Sequence, residues 1–213
     1  MLFNSFEFLV FFAVTTVLYF LIPHKGRWGL LLLASCFFYM FFKPVYILIL
    51  AFTILVDYAA GILIENAPGK GEKKRFLILS LLANIGILAI FKYYNFFNDQ
   101  VTGLATLFGY TNQLPYLNIL LPIGLSFHTF QAMSYTIEVY RGNQQAERHF
   151  GIYALYVMFY PQLVAGPIER PQNMLHQFHE EKRFSYENLF VGLQWILWGL
   201  FKKVVIADRL AIM

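Results

Sequence analysis

Charged residues are scarce in this sequence, and cysteine is almost absent. Asp, Glu, Lys and Arg make up 13% of the 213 residues, roughly half the share of a soluble domain, whereas 59% of the residues are hydrophobic. The single cysteine, Cys36, excludes a disulfide framework and a CxxC site. The net charge of +4 is small and its basic residues stand between apolar runs, so no nucleic-acid partner is expected. This composition predicts a membrane protein.

Apolar runs follow one another along the chain as candidate membrane segments. They span residues 6–22, 28–42, 45–64, 76–91, 120–142, 150–165 and 189–206. The run at 150–165 is short and contains Pro161, so it is predicted to be a short crossing or a re-entrant hairpin. The pattern predicts an all-α, polytopic transmembrane protein of about six to seven membrane segments. A single membrane domain covering residues 1–213 is expected.

Two polar segments indicate the sidedness of these runs. Residues 69–75 form the densest basic cluster and are predicted to be a cytoplasmic loop. No Lys or Arg occurs from Tyr93 to Tyr140. Residues 98–115 are therefore predicted to be an outside loop, which follows an aromatic interfacial belt at residues 92–97.

The run at 120–142 is unusually polar for a membrane segment. At 100° per residue, a polar or glycine stripe falls within about 80° of one helix face. Its members are Gly124, His128, Gln131, Tyr135, Glu138 and Gly142. Lipid would penalise these side chains, so the stripe is predicted to face protein or a water-filled cavity, with Phe127 and Phe130 broadly opposite. The first five are candidate tunnel-lining residues, and a structural hydrogen-bonding role is the preferred interpretation of His128.

Asp57 is the one acidic residue deep inside a predicted membrane segment. A carboxyl group in hydrocarbon is costly unless a protein group or water satisfies it. Asp57 is therefore expected either to pair with a polar group on a neighbouring helix or to line a pathway. Structural pairing is the preferred interpretation.

Residues 160–171 form a second unusual stretch, with three prolines and a glycine at the end of a hydrophobic run. Irregular backbone at membrane depth survives where protein or a water-filled cavity satisfies it. Gly166, Pro167, Glu169 and Arg170 are therefore candidate substrate-loop residues. An ordinary interfacial loop is the alternative.

The motif H-x-x-H-E-E at residues 176–181 has histidines at metal-ligand spacing, but no third ligand is identifiable. Met174, Leu175 and Phe178 fall on one face of the same turns. An amphipathic helix at the membrane interface is predicted, and no metal site is assigned.

Five ordered motifs resemble one protein family. They read MLFNSFEFLVFF, FKYYNFF, LLPIGLSFHTFQAMSYTIEVYRG, YPQLVAGPIERP and GLFKKVVIADRL, and they extend over the whole chain. The chain resembles the N-terminal half of the membrane-bound O-acyltransferases. It is most similar to the branch that contains the alginate O-acetyltransferases and the D-alanyl-lipoteichoic acid transfer proteins.

This resemblance implies a multi-pass enzyme of the plasma or inner membrane that transfers an acyl group, expected to be acetyl, to polymer hydroxyls. The acceptor would be an extracytoplasmic polysaccharide or teichoic acid, reached with partner proteins of an envelope-modification system and in contact with membrane lipid. The acyl donor, an acyl-CoA or an acyl-carrier thioester, would be a substrate, and no bound cofactor is expected. The family's essential histidine is expected beyond Met213, so no catalytic residue is assigned here and the fragment is expected to be inactive alone.

Two other classes of protein remain as alternatives. A transporter or channel would also have broken helices, and Pro122 with Gly124 and Pro161 with Gly166 fit such interruptions. A non-catalytic membrane scaffold is the other alternative. Tolerance of substitutions at Gln131, Tyr135 and Glu138 would favour the scaffold.

Overall fold

The computed structural model describes residues 1, 3–41, 44–109, 115–116, 124–163, 166 and 168–211. The described residues form α-helices and contain no strand, which confirms the predicted all-α class. The α-helices are α1 (Phe6–Leu21), α2 (His24–Met40), α3 (Ile47–Asn66), α4 (Lys70–Leu107), α5 (Leu125–Arg141), α6 (Phe150–Met158), α7 (Tyr160–Leu163), α8 (Pro171–His179), α9 (Tyr186–Phe201) and α10 (Asp208–Leu210). A 3₁₀ turn (Pro44–Tyr46) precedes α3, and a π-helical segment (Lys202–Ala207) joins α9 to α10.

Local signals account for several helix boundaries. The hydroxyl oxygens of Ser5 and Ser185 each accept a hydrogen bond from a backbone N–H of the first turn, at 3.3 Å, and so cap α1 and α9. Pro171 is the first residue of α8, where its missing N–H leaves no internal hydrogen bond unmade. Pro23 separates α1 from α2.

The predicted loops on either side of the fourth apolar run are wrong in extent. Helix α4 is 38 residues long and begins at Lys70, so it includes most of the basic segment 69–75. It also contains the aromatic belt and continues to Leu107, well into the predicted outside loop 98–115. The change of polarity does not end the helix, because Lys, Arg and Glu are good helix formers and no proline interrupts α4.

Three helical segments within the described residues are long and apolar enough to cross a membrane. They are Pro44–Asn66, Lys70–Leu107 and Tyr186–Leu210, and α1 is a shorter apolar helix. The total of six to seven membrane segments and the single-domain organisation stay predictions.

Helices α3, α4 and α5 pack against one another, and α6 is inserted beside α2. All residues of α6 after Phe150 are buried. With 9 residues α6 rises only about 14 Å, less than half of a hydrocarbon core of about 30 Å. The helix is interrupted at Phe159, within the run that was predicted to be a short crossing or a re-entrant hairpin. Because α6 is so short, it cannot cross the membrane by itself.

Candidate functional site

The polar stripe of α5 is buried against protein. His128, Gln131, Tyr135 and Glu138 are each 6% exposed or less, whereas Phe127 and Phe130 on the other side of the helix are 41% and 48% exposed. This arrangement matches the predicted orientation of the helix. The tunnel-lining role of the stripe stays a prediction.

Gly124 allows the start of α5 to approach the end of α7. Its φ of +81° lies in the left-handed region that favours glycine. A Cβ atom at this position would lie less than 3.0 Å from the carbonyl oxygen of Leu163. Both the conformation and the close approach therefore require glycine here.

His128 presents one unpaired ring nitrogen to the protein interior. Its Nδ1 lies 3.2 Å from the carbonyl oxygen of Val157. A carbonyl can only accept, so Nδ1 must carry the hydrogen and donate it, which leaves Nε2 as a lone-pair acceptor in the neutral ring. Nε2 is buried and has no hydrogen-bond partner among the described residues. The imidazole can therefore accept a hydrogen bond or a proton.

A small cavity lies beside this imidazole. It is lined by His128, Gln131, Gln162 and Gly166, together with apolar side chains. Its volume of about 10 Å³ is close to the space that one water molecule needs. The site thus combines an unpaired acceptor with room for about one small hydroxyl group.

Gln131 connects the stripe to the proline-rich stretch. Its side-chain NH₂ donates to the Tyr156 carbonyl and to Gln162 Oε1, both at 3.3 Å. Its Oε1 accepts from the backbone N–H of Glu169, also at 3.3 Å. One buried amide therefore links α5 to α6, to α7 and to the loop before α8.

Tyr135 and Glu138 are satisfied by hydrogen bonds further along α5. The Tyr135 hydroxyl accepts from the Glu147 N–H at 3.0 Å. Glu138 Oε2 accepts from the side-chain amides of Asn143 at 2.9 Å and Gln172 at 2.7 Å, and Oε1 accepts from Arg141 at 3.3 Å. These bonds fasten the end of α5 to the following turn and to α8.

Only part of the predicted substrate loop, residues 166–170, contacts the polar stripe of α5. Gly166 lines the small cavity, and the backbone of Glu169 is held by Gln131 and by the Tyr156 hydroxyl, which donates to the Glu169 carbonyl at 2.9 Å. The side chain of Arg170 is exposed, and the residue precedes α8 as its N-cap. Pro167 lies outside the described residues.

Asp57 is fully buried and pairs with polar side chains of α4. Ser80 Oγ donates to Asp57 Oδ1, and the Asn84 amide donates to both carboxyl oxygens at 2.8 and 2.9 Å. Thr136 of α5 lies 3.4 Å from Ser80 Oγ. The expected pairing with a neighbouring helix is therefore present. Ser80, Asn84 and Thr136 were not singled out from the sequence, although an amide within an apolar run is a usable signal.

Helix α8 is amphipathic, as the spacing of Met174, Leu175 and Phe178 predicted. Met174 and Leu175 are buried, whereas His176 and His179 are exposed. His179 Nε2 lies 2.8 Å from Glu147 Oε2. The Lys182 ammonium beside Glu180 holds the pKa of that carboxyl below its usual value. No group of three or more metal-ligating side chains occurs in the part of the chain that the structure describes.

Replacing Gln131 by Leu is expected to lower the free energy of unfolding by about 1–3 kcal/mol, because the partly buried backbone N–H of Glu169 loses its acceptor. In a protein of this size each kcal/mol corresponds to about 2–4 °C in Tm. The measurement is thermal unfolding of the purified protein in detergent. Gln145 is exposed, so Gln145→Leu is the matched control and should leave Tm within about 1 °C. Equal values for the two variants would contradict the bridging role of Gln131.

Comparisons with known proteins show which sequences this chain is similar to. No protein-family model matches it, and no solved structure is significantly similar. The probable alginate O-acetylase of Pseudomonas aeruginosa is 36% identical over 99% of this chain and 41% of its own length. That of Azotobacter vinelandii is 35% identical over 99% of this chain and 42% of its own length. The peptidoglycan O-acetyltransferase of Helicobacter pylori is 34% identical over 85% of this chain and 38% of its own length.

The chain therefore spans about two fifths of the length of these relatives. The chain is a homologue of the alginate O-acetylases and the peptidoglycan O-acetyltransferase, in agreement with the resemblance that its sequence motifs indicated.

Proposed function

We propose that this chain forms part of a membrane O-acetyltransferase that esterifies hydroxyl groups of an extracytoplasmic polymer. One observation carries the proposal, namely similarity over almost the whole chain to O-acetylating proteins whose named polymers differ. Alginate and the glycan strands of peptidoglycan are built from different sugars, and both carry hydroxyl groups. The shared element is acetyl transfer, so this reaction is the part that we extend to the present chain.

In the proposed reaction a polymer hydroxyl oxygen attacks the carbonyl carbon of an acetyl thioester. The bond to sulfur breaks, the hydroxyl proton passes to a base, and the thiol leaves as the polymer acetate ester forms. We expect the donor to be an acyl-CoA or an acyl-carrier thioester. The base is the family histidine that the resemblance places outside this chain.

In this proposal the described helices supply part of the buried wall along which the reactants meet. His128 and Gln131 support this role, because both are polar, buried and adjacent to the small cavity beside Gly166. A lone pair at Nε2 can receive a hydrogen bond from a hydroxyl group and orient it. His128 is therefore proposed as a positioning residue for a hydroxyl or a water molecule.

The proposed location is the plasma or inner membrane, crossed several times. Three long apolar helices and the kinship with the alginate O-acetylases support a membrane location. Partner proteins of an envelope-modification system are part of the same proposal, because the polymer lies outside the compartment in which acetyl thioesters are made.

Deletion of the gene that encodes this chain tests the function. We expect the envelope polymer to lose its ester-bound acetate, measured as acetate released by mild alkali, and the wild-type gene to restore it. A deletion strain with unchanged polymer acetate would contradict the proposed function.

Substitution of His128 tests its positioning role in the same assay. We expect His128→Phe in the complete gene product to lower polymer acetate by about tenfold or more at equal protein level, since general positioning effects reach 10²-fold. The matched control is Phe130→Leu, on the exposed side of α5 and outside the lining of the small cavity, which should restore acetate fully. Wild-type acetate with His128→Phe would remove His128 from the proposed site while leaving the function standing.

The transporter alternative predicts a different product. Given a labelled acetyl donor on one side of sealed vesicles and acceptor polymer on the other, an acetyltransferase forms alkali-labile label on the polymer. A transporter would instead accumulate free labelled donor inside the vesicles.

A further inference from the structure

Helix α4 has one side that packs against protein and one side that is exposed. On the packed side, Ser80 and Asn84 are each 1% exposed and bind Asp57 of α3. The other side carries apolar side chains that are between 43% and 61% exposed, namely Ile78, Leu79, Leu82 and Ile85. At 100° per residue these four fall within an arc of about 120° and form what we call the outer stripe of α4. The helix is long and apolar enough to cross a membrane, so hydrocarbon is the environment that this stripe fits.

Two cations lie directly above the outer stripe on the same helix face. Lys74 is four residues before Ile78 and Arg75 is four residues before Leu79, so each pair consists of neighbours on the helix surface. The side chains of Lys74 and Arg75 are exposed. A rise of about 6 Å separates each cation from the apolar residue below it. This side of α4 therefore presents positive charge and then hydrocarbon along one continuous surface.

The two cations have no carboxylate partner among the described residues. No Asp or Glu lies within ion-pair distance of Lys74 or Arg75, whereas Lys182 is paired with Glu180. Lysine and arginine are also unfavourable in the first turns of a helix, because the positive end of the helix macrodipole lies there. These charges therefore do not stabilise α4, and an anion from outside the chain would neutralise them.

The position of the cations along α4 favours a lipid as the source of that anion. The apolar run begins at Phe76, so the Cα atoms of Lys74 and Arg75 lie within about 3 Å of it along the helix axis. The polar headgroup layer on each side of a bilayer is about 5–8 Å thick, so both cations lie at the level of the headgroups. A soluble acidic protein would cover the cations and leave the outer stripe bare. A glycerophospholipid carries its phosphate and its acyl chains in the same order as the cations and the stripe.

We propose that this side of α4 is a binding site for an anionic glycerophospholipid, with the phosphate beside Lys74 and Arg75 and an acyl chain along the outer stripe. Basic clusters next to a membrane-spanning helix attract anionic lipids, which agrees with this assignment. The site lies on the opposite side of α4 from Asp57. It is separate from the small cavity beside His128 and does not depend on the proposed acetyl transfer.

The headgroup preference tests the two cations. The complete gene product, purified in detergent, is titrated with palmitoyl-oleoyl-phosphatidylglycerol or the matching phosphatidylcholine, and native mass spectrometry counts the bound lipid. We expect phosphatidylglycerol to bind more tightly, and the double variant Lys74→Gln/Arg75→Gln to weaken its binding about tenfold while phosphatidylcholine binding is unaffected. An unchanged preference for phosphatidylglycerol in this variant would overturn the proposal and leave an acidic protein as the partner of the cations.

The chain contains a matched control for this double variant. Lys182 and Arg183 are the same two residue types in the same order, and both are exposed. They directly follow Glu180 and Glu181, so their segment carries no excess of positive charge. We expect Lys182→Gln/Arg183→Gln to change phosphatidylglycerol binding by less than about twofold. An equal loss of binding in the two double variants would overturn the assignment of the site to α4.

Replacing Glu72 by Gln should have the opposite effect. Glu72 is exposed and lies three residues before Arg75, so its carboxylate repels a phosphate at the proposed position. We expect Glu72→Gln to strengthen phosphatidylglycerol binding about two- to fivefold, a gain that a damaged protein would not show. Weaker binding in this variant would overturn the proposal, as would displacement of the lipid by free glycerol phosphate alone.

Discussion

Replacing Gly124 by Ala is expected to lower the free energy of unfolding by about 2–5 kcal/mol. The left-handed backbone costs an L-residue about 1–2 kcal/mol, and overpacking against a fixed neighbour costs about 1–3 kcal/mol. That neighbour is the backbone carbonyl of Leu163, which cannot move aside as a flexible side chain can. Thermal unfolding in detergent measures the loss.

Gly142 provides a matched control at the other end of α5. It has nearly the same φ, +79° against +81°, but no atom lies within 4 Å of the position that a Cβ would occupy. Gly142→Ala should therefore show the backbone strain alone, about 1–2 kcal/mol. If both substitutions lowered Tm equally, the close approach between α5 and α7 would be contradicted.

Gly124→Ala should also disturb the region around His128. The Cβ would lie 3.4 Å from His128 Nε2, the unpaired nitrogen. We therefore expect this variant to lower polymer acetate in the complete gene product by more than its protein level falls. A loss of acetate that only follows the protein level would indicate a purely structural glycine.

Replacing Asp57 by Ala is expected to lower the free energy of unfolding by about 2–6 kcal/mol. The carboxylate accepts from two buried donors, on Ser80 and Asn84, and an unsatisfied buried donor costs about 1–3 kcal/mol. The measurement is again Tm in detergent. Glu181 is exposed, so Glu181→Ala is the control and should change stability by no more than about 0.5 kcal/mol.

A double-mutant cycle separates the pairing of Asp57 from its packing. Asp57→Ala and Asn84→Ala together should cost less than the sum of the single changes, with a coupling of about 0.5–3 kcal/mol. In the double variant neither the carboxylate nor the amide is left without its partner. Strict additivity would show that the two side chains are only neighbours in the core.

Short local signals account for the ends of some helices. Ser5 and Ser185 cap α1 and α9. Predicting the extent of a helix from the polarity of its sequence is less reliable. The same approach failed for α4, because it equated a charged or aromatic segment with a loop. Helix formation depends on backbone hydrogen bonds, and Lys70 or Phe97 interrupts them no more than leucine does.

The sequence predicted which face of α5 carries the candidate site, but not which groups its side chains contact. Helical periodicity placed His128, Gln131, Tyr135 and Glu138 on one face and predicted that this face is buried. It could not show that Gln131 binds the backbone of Glu169, 38 positions away. Nor could it show that Val157 holds Nδ1 of His128 and leaves Nε2 unpaired.

The sequence by itself determined the membrane class, the helical architecture, the family resemblance and the buried side of α5. These properties follow from the composition, the helical period of the polar residues and the ordered motifs, all of which can be read from the sequence. The tertiary structure alone decided which groups meet, such as Asp57 with Asn84, Gly124 with the Leu163 carbonyl, and Arg27 with the Lys182 carbonyl. The physical reason is that hydrogen bonds and close contacts act over a few ångströms, whereas the period of a helix gives only a direction from its axis.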